Sequence, residues 1–388
     1  MAVLLFMAAV LVTLEKSAKG GMQKFFKYVP AVVLCYLIAM FLCTLGVWDM
    51  AETKPAYSAL KNNLTYAMIF AMLLRCNIRK APKLGPKMLI GFFSATLTIT
   101  IGFVCAFVLM KGTIASDAWM GLGALCGSWI GGSGNMVAMQ DALPVDPGAY
   151  ACALTLNTVC YSVWIALLIF MVRYSSKWDK SVKADTSKLS AIADVANEEV
   201  EKEKKAKATS GDWVWMIGLA LIVSALSQWV GAKMGAGFAG MGLKMFDKGT
   251  CTTLFVTVLG LACAMTPLGK LPAANELSSV LLYAVVALLA TQAPLNALIE
   301  APMWVVYGVF ILVLHVVGMY ILSKLFHWDL CMVSTASVAN IGGPASAPII
   351  AVAYNPNYAG IGVLMGIFGQ AIGNFFGLGM GWLLNLMA

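Results

Sequence analysis

The chain has 388 residues, of which 61% are hydrophobic and only 11% are charged. Runs of about 20 apolar residues recur along it, the length that a helix needs to cross the hydrocarbon of a bilayer. This pattern predicts an all-α membrane protein and excludes a β-barrel, whose strands would alternate over short stretches. The net charge of +8 does not indicate a nucleic-acid partner, because the lysines and arginines lie in loops between the apolar runs.

Nothing in the sequence indicates an enzyme. The ten cysteines form no CxxC pair, and most lie within apolar runs, where they serve as small packing residues. The only histidines, His315 and His327, have no partner at the spacing of metal ligands. The apolar runs contain neither a nucleophile–base pair nor a metal cluster, so we expect no catalytic residues and no cofactor.

Twelve apolar segments follow one another along the chain, at residues 2–14, 29–47, 62–77, 88–110, 118–142, 149–172, 213–231, 250–266, 277–299, 303–323, 331–353 and 358–386. A polar linker, 173–212, separates the sixth segment from the seventh. Within the linker, the run Ala196–Lys207 is rich in alanine, glutamate and lysine, which predicts a solvated helix.

Glycine pairs interrupt two of these segments, as Gly131-Gly132 and as Gly342-Gly343. A helix that is broken within a bilayer exposes N–H and C=O groups that hydrocarbon cannot satisfy. Such a break is tolerated only where it is buried in protein or lines a wet cavity. Breaks at corresponding places in two halves of a chain are typical of a transporter binding site.

The glycine pairs also relate the two halves of the chain to each other. Superposing them requires a shift of 211 residues, and the match continues without a gap to residue 172 of the first half. The shift aligns three further identical pairs, Ile130/Ile341, Ala142/Ala353 and Leu167/Leu378. This internal repeat divides the chain into a first half, 1–172, the linker, 173–212, and a second half, 213–388.

The charges of the loops predict the orientation of the halves. Basic residues cluster in loops 15–28 and 75–87 and again after residue 173, which places these loops in the cytoplasm. Loop 140–148 has no lysine or arginine and is therefore expected outside. Loop 232–249, with three lysines, also falls outside in this scheme and argues against it.

This arrangement requires residues 118–143 to return to the face from which they enter, as a re-entrant helical hairpin. Residues 331–353 form the corresponding hairpin of the second half. Each half then has five transmembrane helices, so the two repeats are inverted and both termini lie outside. The linker is cytoplasmic.

At each hairpin tip one helix ends with free C=O groups, which suit Na⁺, and another begins with free N–H groups, which suit a carboxylate. Neutral polar side chains near the tips can complete a sodium shell or hold a polar solute. The candidate substrate- and ion-binding residues are Ser128, Gly131, Gly132, Ser133, Gly134, Asn135, Asn157, Ser337, Asn340, Gly342, Gly343, Ser346, Gln370 and Asn374. We expect no other metal site.

Two further patterns bear on the mechanism. The last segment has glycine at every fourth position from Gly369 to Gly381, which predicts a face that packs closely against a hairpin. No acidic residue lies deep in a predicted span, which favours sodium over protons as the coupling ion. No arginine lies in the middle of a span to hold an anion, since Arg75 is near a span end.

The tip sequence Gly131-Gly132-Ser133-Gly134, repeated as Gly342-Gly343-Pro344-Ala345, resembles the GGxG hairpins of sodium-coupled glutamate and citrate symporters. Over nearly its whole length the chain resembles the bacterial and plant membrane family called domain of unknown function 819, which is grouped with the cation/anion transporter superfamily. The resemblance implies a mobile core of hairpins and adjoining helices, a static scaffold, elevator-like motion and a homodimer.

Only five residues carry over from the motif of those symporters: Gly131, Gly132, Gly134, Gly342 and Gly343. The second tip has Ala345 where the motif has glycine, and the arginine that holds carboxylates in the citrate relatives has no evident counterpart.

The sequence thus predicts a secondary active transporter in a bacterial inner membrane, sodium-coupled, for a small polar solute such as an amino acid, a short peptide or an organic acid. The alternatives are an ion channel, because paired half-helices also build pores, and a proton-coupled transporter.

Overall fold

The computed structural model describes residues 1–186, 189–201, 208–243, 246–293 and 295–388, and these residues form helices and turns but no strand. The α-helices within these ranges are α1 (Ala2–Ser17), α2 (Gly20–Tyr28), α3 (Ala31–Thr44), α4 (Met50–Leu73), α5 (Gly85–Met110), α6 (Ala118–Gly131), α7 (Ser133–Ala142), α8 (Pro147–Met171), α9 (Ser175–Val182), α10 (Leu189–Glu201), α11 (Ser210–Gly240), α12 (Lys248–Ala264), α13 (Ala274–Ala290), α14 (Ala301–Phe326), α15 (Leu330–Ile341), α16 (Gly343–Tyr354) and α17 (Ala359–Met387).

Several helical segments are long and apolar enough to cross a membrane. Among the described residues there are five: Ile78–Thr113, Pro147–Val182, Ser210–Gly240, Leu295–Phe326 and Pro356–Met387. The pair α2–α3, bent by 77°, makes a sixth if it is one span. The prediction of an all-α, multi-span membrane protein is therefore confirmed, whereas the division into ten crossing helices and two re-entrant hairpins stays a prediction.

The apolar runs in the sequence predicted where the helices lie, but some helices begin or end at other residues than predicted. The helix α4 begins twelve residues before the predicted start at residue 62, because its first half is polar and is capped by Asp49, whose carboxylate accepts from the N–H groups of Ala51 and Glu52. The helix α13 ends at Ala290, well before the predicted end at residue 299.

The linker helix is packed rather than solvated, which corrects the prediction for Ala196–Lys207. Its described part, α10, contacts the start of α17 and the 3₁₀ helix Ile78–Leu84. Ala193 and Ala196 are fully buried, and Glu199 forms an ion pair with Lys83. Residues 202–207 of the predicted run lie outside the described residues.

The first interrupted segment folds back on itself. A Cβ atom on Gly127 of α6 would lie 2.9 Å from Cγ of Met139 in α7, and one on Gly123 would lie 2.6 Å from Cδ1 of Leu143. In a straight helix, residues 127 and 139 would be about 18 Å apart. The two arms are therefore antiparallel, and they join at Gly132. Its φ of +99° is a backbone conformation that residues with a side chain rarely adopt.

The second interrupted segment folds in the same way. The hydroxyl groups of Ser334 in α15 and Tyr354 in α16 are 2.9 Å apart, although twenty residues of straight helix would span about 30 Å. The turn includes Gly343, with φ of +64°. Under the shift of 211 residues seen in the sequence, Gly343 aligns with Gly132, so the two positive φ angles occupy matching positions.

The helix α17 packs closely against the first hairpin, as its glycine repeat predicted. A Cβ on Gly373 would lie 2.9 Å from Cα of Gly131, and one on Gly377 would lie 3.0 Å from Cα of Gly127. At Gly369, a Cβ would lie 2.6 Å from the carbonyl oxygen of Ile130 in α6 and 2.8 Å from that of Ala339 in α15. The midpoint of α17 thus contacts the ends of both first arms.

We predict that Gly369→Ala destabilises the protein by about 1–3 kcal/mol, because the added methyl group would collide with backbone atoms of both hairpins. Gly379→Ala, on the same helix, is the matched control, since no atom lies within 4 Å of a Cβ there and alanine favours the helix. Thermal unfolding of the purified variants in detergent measures the difference. Equal melting temperatures for Gly369→Ala and the wild type would contradict the packing described here.

Candidate functional site

The two hairpin tips contact each other through their backbones. A Cβ on Gly343 would lie 3.1 Å from the carbonyl oxygen of Gly131 and 3.4 Å from Cα of Gly132. Because a side chain at Gly343 would press on the first tip, the approach depends on glycine at this position. The two breaks in the chain therefore meet at one place, beside the middle of α17.

A cavity of about 220 Å³ opens at this meeting point. Both tips and Gln370 of α17 form one side, and residues of α4 and α13 form the other. The lining residues are Met68, Met72, Arg75, Gly131, Gly132, Ser133, Gly134, Asn275, Ser278, Ser279, Leu282, Gly342, Pro344, Ala345 and Gln370. The cavity thus lies between the hairpins and two helices that come from different halves of the chain.

Polar side chains of the cavity wall hold one another in place. Nη1 of Arg75 donates to Oδ1 of Asn275, which joins the end of α4 to the start of α13. Oγ of Ser279 donates to the backbone carbonyl of Asn275 at 2.9 Å. The amide oxygen of Gln370 accepts from Sγ of Cys76, at 3.7 Å, and no hydrogen bond joins its amide nitrogen to a described residue.

The second arms of both hairpins begin at the cavity. Ser133 and Gly134 start α7, and Pro344 and Ala345 belong to the first turn of α16. N–H groups in a first turn have no partner within their own helix, and helix starts carry partial positive charge. The positive ends of two short helices therefore face the same space.

The sequence-predicted site residues divide into two groups. Six of them line the cavity: Gly131, Gly132, Ser133, Gly134, Gly342 and Gln370. The others do not line it: Ser128, Asn135, Asn157, Ser337, Asn340, Gly343, Ser346 and Asn374. Gly343 belongs to the contact between the tips, and the remaining seven bond to side chains or backbone around the hairpins.

Asn135 and Asn374 form a buried chain of hydrogen bonds behind the first tip. Nδ2 of Asn135 donates to the carbonyl of Gln370 at 3.0 Å and to Oδ1 of Asn374 at 2.9 Å. Nδ2 of Asn374 in turn donates to Thr257 of α12 at 2.9 Å. The side-chain oxygen of Asn135 is buried, and no donor among the described residues reaches it.

Ser337 and Asn340 are bound to the helices around α15. Nε1 of Trp164 donates to Oγ of Ser337, and this hydroxyl lies 2.8 Å from Nε2 of His315. Nδ1 of His315 lies 2.7 Å from Oγ1 of Thr98, so a neutral imidazole satisfies both contacts. Asn340 accepts from Thr96 at 2.7 Å. These contacts engage the hydroxyl of Ser337 and the side-chain oxygen of Asn340 with other side chains of the protein.

The remaining residues contact α8. Oδ1 of Asn157 accepts from Nε1 of Trp129 at 3.0 Å and from Oγ of Ser128 at 3.5 Å. The hydroxyl of Ser346 pairs with that of Tyr161. These bonds hold the end of α6 and the start of α16 against α8.

The sequence did not predict the wall opposite the tips. It placed Arg75 near a span end, with no arginine in the middle of a span, and the structure has Arg75 two residues after the end of α4, where it lines the cavity. Asn275, Ser278 and Ser279 were missed because the apolar segment was taken to start near them. Their spacing of three and four residues places them on one helix face, which was the available signal.

Comparisons with known proteins agree with a membrane protein. The "Uncharacterized membrane protein YjcL" of Bacillus subtilis (strain 168) is 24% identical over an alignment 383 residues long, and the match covers 93% of this chain and 92% of that protein. A family model with the description "Protein of unknown function (DUF819)" matches residues 2–387. The chain therefore belongs to the DUF819 family of membrane proteins.

Proposed function

We propose that the protein is a secondary active transporter that moves a small polar organic solute across a bacterial inner membrane. The observation that carries the proposal is the cavity between two broken helices and the helices α4 and α13. In membrane transporters, helices that are broken inside the protein expose backbone N–H and C=O groups. Hydrocarbon could not satisfy these groups, but a bound substrate or ion can.

The cavity fits a small solute. Its volume of about 220 Å³ is below the roughly 300–1,000 Å³ of pockets that hold drug-sized ligands. The wall combines hydrogen-bonding groups, at Arg75, Asn275 and Gln370, with apolar side chains at Met68 and Leu282. A compact molecule with one polar end and a short body matches this wall.

The packing of corresponding helices supports two inverted repeats. The end of α4 contacts the start of α13 through Arg75 and Asn275, while Trp48, before α4, donates to the carbonyl of Thr291, after α13, at 3.1 Å. The two helices are therefore antiparallel. The helices α5 and α14 are antiparallel as well. Thr98 of α5 lies against Gly318 of α14, and Gly102, one turn later in α5, lies against Ile311, which is earlier in α14. Halves related in this way point in opposite directions through the membrane.

The contacts also support a division into a mobile core and a scaffold. The helix α4 packs on α11, α12 and α13, and α13 packs on α1 and α3, which would form the scaffold. The helices α5, α8, α14 and α17 pack around the hairpins, which would form the core. The boundary is crossed by an ion pair of 2.6 Å between Lys61 of α4 and Asp141 of α7 and by the hydrogen bond from Asn374 to Thr257 of α12, and both would have to break for the core to slide.

Sodium is the proposed coupling ion. The side-chain oxygen of Asn135 is a buried acceptor that no donor among the described residues reaches, and a Cβ on Gly131 would lie 2.5 Å from it. It therefore lies beside the end of α6, where carbonyl groups lack helical partners. Neutral oxygens of this kind suit a hard cation, and none of the described cavity-lining residues is an acid that could carry a proton. The proposed homodimer and the outside location of both termini rest on the family resemblance and the loop charges.

We predict that the protein in liposomes accumulates a solute from a panel of amino acids, dipeptides and organic acids only with an inward sodium gradient, and that Gly132→Val abolishes this uptake. Valine at a φ of +99° costs about 1–3 kcal/mol locally and displaces the tip. Gly46→Val is the matched control, because Gly46 also has a positive φ, of +70°, but lies in an exposed loop. Unsaturable flux with single-channel current steps would instead support a channel, and uptake that needs only a proton gradient would support proton coupling.

We also predict that sodium chloride raises the melting temperature of the purified protein above its value in equal potassium chloride, because a cation that binds only the folded state stabilises it. Asn135→Ala should remove this difference. Asn340→Ala, which deletes an equally buried amide whose oxygen already accepts from Thr96, should retain it. The same sodium effect in both variants would contradict a site at Asn135.

A further inference from the structure

The electrostatics of the cavity identify the kind of solute, and this step rests on the proposed function. Among the described residues that line the cavity, Arg75 is the only charged one. No ion pair joins its guanidinium to a described acidic residue. A charge of this kind at the wall of a binding cavity favours a ligand of opposite sign.

Arg75 is held in position rather than neutralised. Its Nη1 donates to the neutral amide oxygen of Asn275, and Asn275 lies in the first turn of α13. A guanidinium has five N–H donors in a rigid fork, so the remaining donors can bind both oxygens of a carboxylate. The pair Arg75–Asn275 therefore forms a preorganised anion-binding group at one end of the cavity.

The wall formed by the hairpin tips carries partial positive charge, the same sign as the charge of Arg75. The first turns of α7 and α16 face the cavity at Gly134 and Ala345, and helix starts repel cations. The ammonium group of an amino acid or peptide would thus meet no carboxylate among the described lining residues and would lie near the positive ends of two helices. Burying an unpaired charge is costly, so the cavity selects against a zwitterion.

The rest of the wall is partly apolar and partly polar, and its polar side chains are Ser133, Ser278, Ser279 and Gln370. Met68 and Met72 of α4 and Leu282 of α13 line the cavity next to the polar groups. Methionine side chains adapt to bodies of different shape.

We propose that the cavity takes a small organic monoanion, in which one carboxylate binds Arg75 and a short uncharged body packs against the methionines. Of the three solute classes that the sequence left open, this selects the organic acid.

The test is thermal unfolding of the full-length purified protein with straight-chain monocarboxylates from acetate to hexanoate, each beside its amide and its 2-amino derivative at matched sodium and ionic strength. We expect at least one carboxylate to raise the melting temperature and its amide and zwitterion to have no effect. Arg75→Gln should raise the half-saturating carboxylate concentration about 10- to 100-fold, the usual cost of losing hydrogen bonds to a charge.

Arg79→Gln is the matched control, because Arg79 is an exposed arginine four residues away that contacts the carbonyl of Met265 and does not line the cavity. It should respond like the wild type. No stabilisation by any carboxylate, equal stabilisation by acid and amide, or an unchanged response in Arg75→Gln would each overturn the inference.

The outcomes separate this inference from the proposed transport. Sodium-driven uptake of a zwitterion, unaffected by Arg75→Gln, would refute the monoanion and retain the transporter. Carboxylate binding that depends on Arg75, without uptake of that carboxylate into liposomes, would retain the monoanion and contradict transport.

Discussion

The structure depends on one constraint, which is that the backbone groups freed at two breaks in apolar helices must be kept away from hydrocarbon. The protein meets it by bringing the two breaks together. Gly343 allows the tips to touch, and Gly369 allows α17 to lie against the ends of both first arms. Side chains at these positions would push the tips and α17 apart and expose the breaks, so the packing at the centre of the fold requires glycine there.

The same constraint connects the fold to the proposed chemistry. A hairpin tip that is buried on the side of α17 still presents the first turn of its second arm to the cavity, at Gly134 and Ala345. Both second arms contribute partial positive charge, and Arg75 adds a full charge from α4. The fold thus concentrates one sign of charge around a small space, while the acceptor oxygen of Asn135 is held behind the first tip.

Sequence patterns located the hairpins because glycine pairs and short arms are local features. They could not separate the residues that line the cavity from those that pack behind it. Ser133 and Asn135 are two residues apart, yet one lines the cavity and the other bonds to Gln370 and Asn374. Whether a residue lines the cavity depends on which helices pack against it, and this is not visible in the sequence. For the same reason Arg75, which the sequence placed in a basic loop, was not recognised as a cavity residue.

The most direct test of the central claim is the reaction of a cysteine at the second tip with a membrane-impermeant maleimide, in liposomes that contain the protein in both orientations. Ala345 is exposed at the cavity although it lies within an apolar segment. The account predicts that Ala345→Cys reacts above the background of the native protein, whereas Ile101→Cys, an exposed position in the middle of the spanning helix α5, does not. An Ala345→Cys variant as unreactive as Ile101→Cys would show that the tips do not open to water, and would contradict the account.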